Sequence, residues 1–342
     1  MAKYSNIKQL WFIPLLTCPF IFGMFSIGQG HLNKFHITGY SQGTTYQITY
    51  YATDSVVTQS QTDSILERLD RSINLYAPES LICKFNRSEN GITIDEPFRV
   101  LVKKAFEIHR VTNGLVDITV KPLVDAWGFG VKKPAKMPNQ KEVISILKNV
   151  GQDNVWLEGN YLHKRTPGVQ IDLNGIAQGY AADLLGSFCE SADVHSYVAE
   201  IGGELCIKGQ KPNGERFKIG IEAIDGNDIN PGPLRRIIEP HDGAVTTSGN
   251  YRKHLEAGGR QIAHLINPKT GYPFQNEMIS VTVWAKDGIT ADGYDNGFMG
   301  MGMEKTLSFL DGRADMGVYI IYKKPNGIIA DTVSTAFKQY MF

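Results

Sequence analysis

Apolar and polar residues alternate on both sides of Gln42-Gly43 in FHITGYSQGTTYQITYYA (35–52), and a period of two around a turn pair predicts a β-hairpin. The period then lengthens. Ile65, Leu66, Leu69 and Ile73 recur at helical spacing across 64–74. A second helix is predicted over 97–113, with Phe98, Leu101, Val102, Ala105, Phe106 and Ile108 facing inward and Asn113-Gly114 as its stop. MPNQKEVISILKNVG (137–151) reads as a third, Pro138 near its start and Gly151 past its end. NVWLEGNYLHKR (154–165) is a hairpin pattern turning at Gly159-Asn160. A strand ending at Asp172 should turn through Asn174-Gly175 into a helix over 175–190, and strands follow at 218–222 and 243–247. Near the end, ITADGYDNGFMGMG (289–302) starts as a helix, a short helix is expected over 303–310, and strands near 317–322 and 327–331. Helices and strands mix without a regular βαβ rhythm, which predicts an α+β fold of mixed sheets packed with helices. No internal repeat and no Gly/Ser linker divides it, so a single domain is expected over 29–342.

The first residues fall outside that pattern. Lys3 and Lys8 precede LWFIPLLTCPFIFGMFSI (10–27), uncharged and apolar, and SIG before Gln29 offers small residues to a signal peptidase. Residues 1–28 read as an export signal or an uncleaved membrane anchor, with LLTC at Cys18 as a lipoprotein-type alternative. Once the leader is cut, Cys83, Cys189 and Cys206 remain, an odd number without CxxC spacing. They are expected to be small buried residues rather than a disulfide or zinc framework.

Composition narrows the chemistry by exclusion. Apolar residues make up 42% and charged residues 20%, as a packed core requires. Lys plus Arg equals Asp plus Glu at 35 each, so the chain lacks the basic stripe that nucleic acid demands. GMGMEKT lacks the Gly-Lys pair of a P-loop, and GFG at 128–130 is not a dinucleotide fingerprint.

Four dense segments remain. VDITVKPLVDAWGFG (116–130) sets Asp117 among apolar residues before Trp127 and Phe129. It reads either as a core turn with an N-capping aspartate or as a site for a planar ring. IDLNGIAQGYAADLLG (171–186) runs from Asp172 into a helix start, where free N–H groups favour anions. EIGGELCIKG (200–209) has a double glycine that lets backbone approach a ligand. VTTSGNYR with HLINPKTGYPF (245–274) holds Ser248 and His264, but no nucleophile elbow surrounds the serine. Asp292, Asp295 and Asn296 offer hard oxygens of the kind magnesium takes, too few for a calcium cage. The other reading places these acids favourably at a helix N-terminus.

Taken in order, GTTYQITY, LYAPESLICKFN, VDITVKPLVDAWGFG, IDLNGIAQGYAAD, IGGE, TTSGNYR, HLINPKTG and ADGYDNGFMGMG resemble the ApbE family of flavin transferases, from about Gly39 to Gly302. The resemblance implies an ApbE-like catalytic domain with the flavin in a cleft, FAD as donor, and a Ser or Thr hydroxyl of an exported flavoprotein subunit as acceptor. It also implies a magnesium ion held by the Gly175 carbonyl, Asp292, Asp295 and the Asn296 side chain. FAD would be held by Gln42, by Leu81, Ile82 and Cys83, by Leu115, Val116 and Asp117, by Asp172 and Gln178, and near Ile266. Many relatives carry Thr where Asn296 stands, and Lys or Glu where Gln178 stands. His264 is the candidate for proton handling, a structural histidine being the other reading. The implied product is protein-bound FMN with release of AMP. An FAD pyrophosphatase and an exported flavin-binding protein are the alternatives. The leader places any of them in the periplasm or at the periplasmic face of the inner membrane.

Overall fold

The computed structural model describes residues 31–341 except 132–133, 135, 224–232, 251–253 and 258–259. The leader expected over 1–28, with Cys18 and the Gln29 start, lies outside the described residues. In chain order the elements are β1 (Asn33–Ser41), β2 (Thr44–Ala52), α1 (Gln59–Ile73), α2 (Leu81–Arg87), β3 (Gly91–Thr93), α3 (Glu96–Val111), α4 (Lys121–Ala126), α5 (Gln140–Leu147), β4 (Val155–Glu158), β5 (Tyr161–Lys164), α6 (Asn174–Ser191), β6 (Tyr197–Ile201), β7 (Glu204–Lys208), β8 (Ile219–Glu222), β9 (Leu234–Ile238), β10 (Gly243–Gly249), β11 (His254–Ala257), β12 (Arg260–Ala263), β13 (Met278–Ala285), α7 (Gly288–Met301), α8 (Met303–Phe309), β14 (Met316–Lys323) and β15 (Ile329–Val333). The α+β expectation holds: a β1-β2-β6-β7-β10-β13-β14-β15 sheet carries the fold, β3-β5-β4 form a small second sheet, and each pair in both is antiparallel. Among the described residues no helix is long and apolar enough to cross a membrane.

The local signals act as their chemistry dictates. Gln42 and Gly43 both adopt positive φ (52° and 75°), the two-residue turn whose twist matches the β1–β2 ladder. α1 begins at Gln59 rather than 64, because Thr58 and Gln61 close a capping box in a polar stretch that carries no apolar period. α2 went unpredicted: Ser80 caps it, but seven residues are too few for a period to show. α5 starts after Asn139, which caps it together with Glu142, and leaves Pro138 outside.

The strand expected to end at Asp172 does not exist. Residues 165–173 carry no strand, and two side chains do the work of a partner strand. Asn86 accepts from Ile171 N (2.7 Å) and donates to Ile171 O (3.0 Å), while Lys164 Nζ donates to Val169 O (3.1 Å) and Asn86 O (3.3 Å).

The larger core lies between the sheet and α1, α3, α6 and α7; it includes Tyr46, Ile48, Leu66, Phe98, Leu185, Val281 and Phe298. The opposite sheet face is covered by β8, β9 and the final helical turn, with Phe217, Ile238, Val245, Phe337 and Tyr340 in contact. Cys189 is buried and Cys83 and Cys206 half-buried, all unpaired, so only one of the three matches the buried placement expected.

α6 and α7 cross almost without side chains between them. A Cβ on Gly179 would stand 2.1 Å from Gly288 O, and one on Gly288 would stand 2.3 Å from Gly179 O. The contact is sealed by charge: Asp183 of α6 accepts from Gly288 N (2.6 Å) and Ile289 N (2.8 Å), while Asp287 accepts from Thr290 N (2.9 Å). The first N–H groups of α7 are thereby satisfied, two of them from the neighbouring helix. Gly179→Ala is expected to force the helices apart and destabilise the protein by about 1–3 kcal/mol, read as a lowered urea midpoint at unchanged slope. An unchanged midpoint would mean that the crossing is not tight.

Candidate functional site

Asp292 and Asp295 do not sit at a helix N-terminus. Asp287 caps α7, and the two acids lie well inside it on the buried face, 5% and 1% exposed. The helix-start reading of these acids is therefore overturned. Asp292 Oδ2 accepts from Gly179 N (2.8 Å), and Asp295 Oδ2 accepts from Thr246 Oγ1 (2.8 Å). Asp295 Oδ1 is buried and has no hydrogen-bond partner. Thr246 and Ser248 share one face of β10, so the strand that supplies Thr246 also points Ser248 Oγ at Asn296 Oδ1 (3.3 Å).

The free N–H of Gly179 comes from an interruption in α6. Gly175 is non-helical (φ −82°, ψ 16°), and its carbonyl accepts from Asn296 Nδ2 at 3.1 Å. Asn296 Nδ2 also donates to Asp292 O at 3.3 Å. Gly175, Asp292, Asp295 and Asn296 are thus brought together, linked through their own hydrogen bonds and those of β10.

Burial raises both carboxyls. Asp292 is pushed up to about 7, with the charge of Asp183 adding to the effect and the Gly179 N–H opposing it. Asp295 stands well above the ordinary carboxylate range through burial and then the charge of Asp292. Two buried acids with no countercharge among the described residues, one with an unbonded oxygen, are a donor set that fits a divalent cation. Among the described residues no three His, Cys, Asp or Glu side chains converge on one point, so such an ion would also draw on the Gly175 carbonyl and an amide oxygen. Asn296 donates to Gly175 in the arrangement described; presenting Oδ1 beside that carbonyl requires the amide to turn over.

Of the segments proposed to hold a flavin, two are tied to this part of the fold by contacts. Gly297 of α7 has room for no Cβ, because Thr112 Cγ2 (2.8 Å) and Val116 Cγ2 (3.2 Å) pack against it. Val116 therefore packs on α7 at Gly297, the residue after Asn296. Asp172 N donates to Ile118 O (2.8 Å), tying the approach to α6 to the same loop. Gln178 lies against the Gly202 turn, 2.6 Å from where a Cβ on that glycine would stand. Gln42, at the hairpin tip, has both amide atoms buried, with Asp70 as its polar neighbour. Burial raises Asp172, with the Asn174 N–H opposing it.

Asp117 does behave as a cap: Oδ1 accepts from Thr119 N (2.8 Å) and Thr119 Oγ1 (2.6 Å), starting the turn Ile118–Val120. Its Oδ2 faces His109 Nδ1 at 3.4 Å. Leu81 and Cys83 are half-buried, Cys83 Sγ donating to Leu75 O (3.4 Å), whereas Ile82 is fully buried in the core and offers a ligand no side-chain surface. Trp127 is likewise committed, donating to Gly271 O (2.7 Å) and packing with Leu123, Val143 and Ile266. His264 stands edge-on to Phe129, ring centroids 6.3 Å apart, next to Ile266. Sequence reasoning missed Thr246 and Gly179 as partners of the acids, and Asp183 as the cap of α7 beside them. TTS at 246–248 and the glycine spacing of α6 carried the signal, but only the crossing reveals which oxygen meets which N–H.

The α+β scaffold thus buries two acids between α6 and α7, next to a broken helix start. The profile of the ApbE family matches residues 42–320, and the chain belongs to that family. It is 34% identical over 319 residues to the FAD:protein FMN transferase of Vibrio cholerae serotype O1, covering 90% of this chain and 92% of the relative. It is 32% identical to that of Haemophilus influenzae, covering 89% and 90% of the two chains. Among solved structures it is similar to the flavin transferase ApbE from Vibrio cholerae, with TM-score 0.81, 32% identity, and 91% and 100% of the two chains covered. The apo form of Pseudomonas stutzeri flavinyl transferase ApbE gives TM-score 0.81 at 29% identity, covering 91% and 97%.

The raised acids make a pH dependence of defined sign. Between about pH 4 and 7 the unfolded carboxyls have released protons that the folded protein keeps, so the metal-free protein loses stability as pH rises through that window. Asp292→Asn, which keeps an acceptor for Gly179 N, should remove part of this slope, on the order of a few kcal/mol across the window. Urea unfolding at pH 5 and pH 7.5 checks it; parallel behaviour of the two proteins would exclude Asp292 as the titrating group.

Proposed function

We infer that this chain is a magnesium-dependent FAD:protein FMN transferase, exported and acting on a Ser or Thr of an exported flavoprotein subunit. The observation that carries the reading is the buried Asp292–Asp295 pair beside the broken start of α6, in a family whose similar members are named FAD:protein FMN transferase. The apolar start of the chain supports export to the periplasm, with the inner membrane as a place of attachment.

In the reaction the acceptor hydroxyl oxygen forms a bond to the FMN phosphorus. The bond from that phosphorus to the bridging oxygen breaks, and AMP leaves with the electron pair. The hydroxyl proton passes to a base, for which His264 is the candidate. A bound magnesium ion, held by Asp292, Asp295, the Gly175 carbonyl and Asn296 Oδ1, would supply neutralisation of charge on the phosphates. The protein's own contribution is position. The N–H of Gly179 and the hydroxyl of Thr246 fix the two carboxylates, and the loop at 115–117 sets the flavin side against α7. Water in place of the hydroxyl would make the same site an FAD pyrophosphatase. Transfer is favoured by the names of the relatives, and catalysis over mere flavin storage by the acid pair.

Co-expression with a candidate exported flavoprotein, followed by mass spectrometry of that protein, is expected to find covalent FMN. Asp292→Ala should abolish it and Asn296→Thr should retain it. Magnesium should raise the melting temperature of the unaltered protein but not of Asp292→Ala; full transfer by that variant at limiting magnesium would sink the metal assignment.

Asp117→Ala should lower stability by about 1 kcal/mol through the lost cap. It should also weaken FAD binding roughly five- to a hundred-fold through the lost hydrogen bond, while magnesium binding changes little. Calorimetric titration of the flavin-free variant decides; unchanged FAD affinity would leave Asp117 as a cap alone.

A further inference from the structure

β10 runs further than one of its neighbours. β7 pairs with it only from Gly243 to Val245, because the β6–β7 hairpin turns back through Gly202 and Gly203 (φ 66° and 108°). On its other side β13 accompanies β10 as far as Gly249. Asn250 N donates to Ile279 O at 2.9 Å, and an antiparallel ladder alternates its bonded pairs. Ser248 and Thr246 therefore direct their main-chain groups towards β13. Thr247 and Gly249 direct theirs to the side that β7 has left, where no described main-chain group pairs with them.

The gap this leaves within the sheet has two different faces. On the α7 side, Thr246 and Ser248 touch Asp295 and Asn296. On the opposite side lies a cavity of about 520 Å³, bordered by Thr247, Gly249, Gly202, Gly203, Tyr51 and Phe217. A Cβ built on Gly203 would meet nothing within 4 Å, so the turn leaves space rather than filling it.

We propose that this gap receives an extended segment of the acceptor protein, added to β10 at Thr247–Gly249 as a short strand, with the acceptor hydroxyl on the α7 side. The alternation of a strand makes the assignment specific. A side chain directed at Asp295 and Asn296 has both its neighbours directed into the cavity. Main-chain pairing suits a polypeptide acceptor and neither water nor a nucleotide, since only a chain offers N–H and C=O at the ladder's repeat. The proposal rests on the transferase reading above and adds to it where the acceptor lies.

The test uses the full chain, FAD, magnesium and the acceptor found by covalent FMN in co-expression. Thr247→Trp fills the cavity beside the gap; Gly249→Pro removes a gap-facing N–H without touching the β13 ladder. Each is expected to raise the acceptor KM about tenfold or more, with FAD affinity by calorimetry unchanged. A synthetic peptide of about ten residues spanning the modified hydroxyl, N-methylated at one position at a time, should lose FMN transfer at alternate positions only. An unchanged acceptor KM, N-methyl effects without alternation, or FAD affinity lost in Thr247→Trp would overturn the docking site. If Gly249→Pro melts early, Thr247→Trp and the peptide series decide. Absence of FMN transfer by the unaltered protein to any acceptor would instead overturn the transferase reading.

Discussion

The distance between α6 and α7 governs the acidic site. Packed helices usually lie 8–10 Å apart, held off by their side chains. Here Gly179 and Gly288 remove those side chains at the crossing, and backbone on each helix comes within reach of a carboxylate on the other. Asp183 of α6 takes two N–H groups of α7, and Asp292 of α7 takes one from α6. The exchange is reciprocal, so neither helix can shift along the other without stranding buried polar groups, a loss of about 1–3 kcal/mol for each group left unsatisfied.

That rigidity is what allows two acids to stay buried together. Three carboxyls, Asp183, Asp292 and Asp295, are all raised, with burial the leading cause in each, Asp183 reaching about 6. The N–H and hydroxyl donors around them reduce the penalty without cancelling it. A site assembled this way is costly while ionised and unpaired, protonation relieves it, and it gains most from a compact positive charge. Stability and function are therefore opposed at this point of the fold, and the glycine crossing supplies the compensation.

Much of this is legible in the amino-acid sequence. Elements with a long apolar period or a turn signature appear where the pattern puts them: the 35–52 hairpin, α3, the Gly159-Asn160 hairpin and α7. The failures share a cause. α1's true start and α2 depend on side-chain caps in polar or short stretches, which hydrophobic periodicity does not register. The strand expected before Asp172 has the right apolar residues, but its partners are Asn86 and Lys164, distant side chains rather than a neighbouring run. At the site, the residue types Asp, Asp and Asn on one helical face were readable. Their depth was not, because burial of α7 on that face is decided by a glycine on another helix.

The way residues 165–173 are held has a kinetic side. A strand in a ladder is released only by unzipping several bonds, whereas this approach to α6 is pinned by the amide of Asn86 and the ammonium of Lys164. Main-chain bonds from Arg165 N to Asn154 O and from Asp172 N to Ile118 O hold it as well, and neither belongs to the eight-stranded sheet, so its amide protons should exchange with solvent in a unit separate from that sheet. Gly175 sits at the end of that segment, and Asn296 donates to its carbonyl from α7. Asn86, remote from the acids in sequence, thereby helps to hold the chain that leads to the Gly175 oxygen.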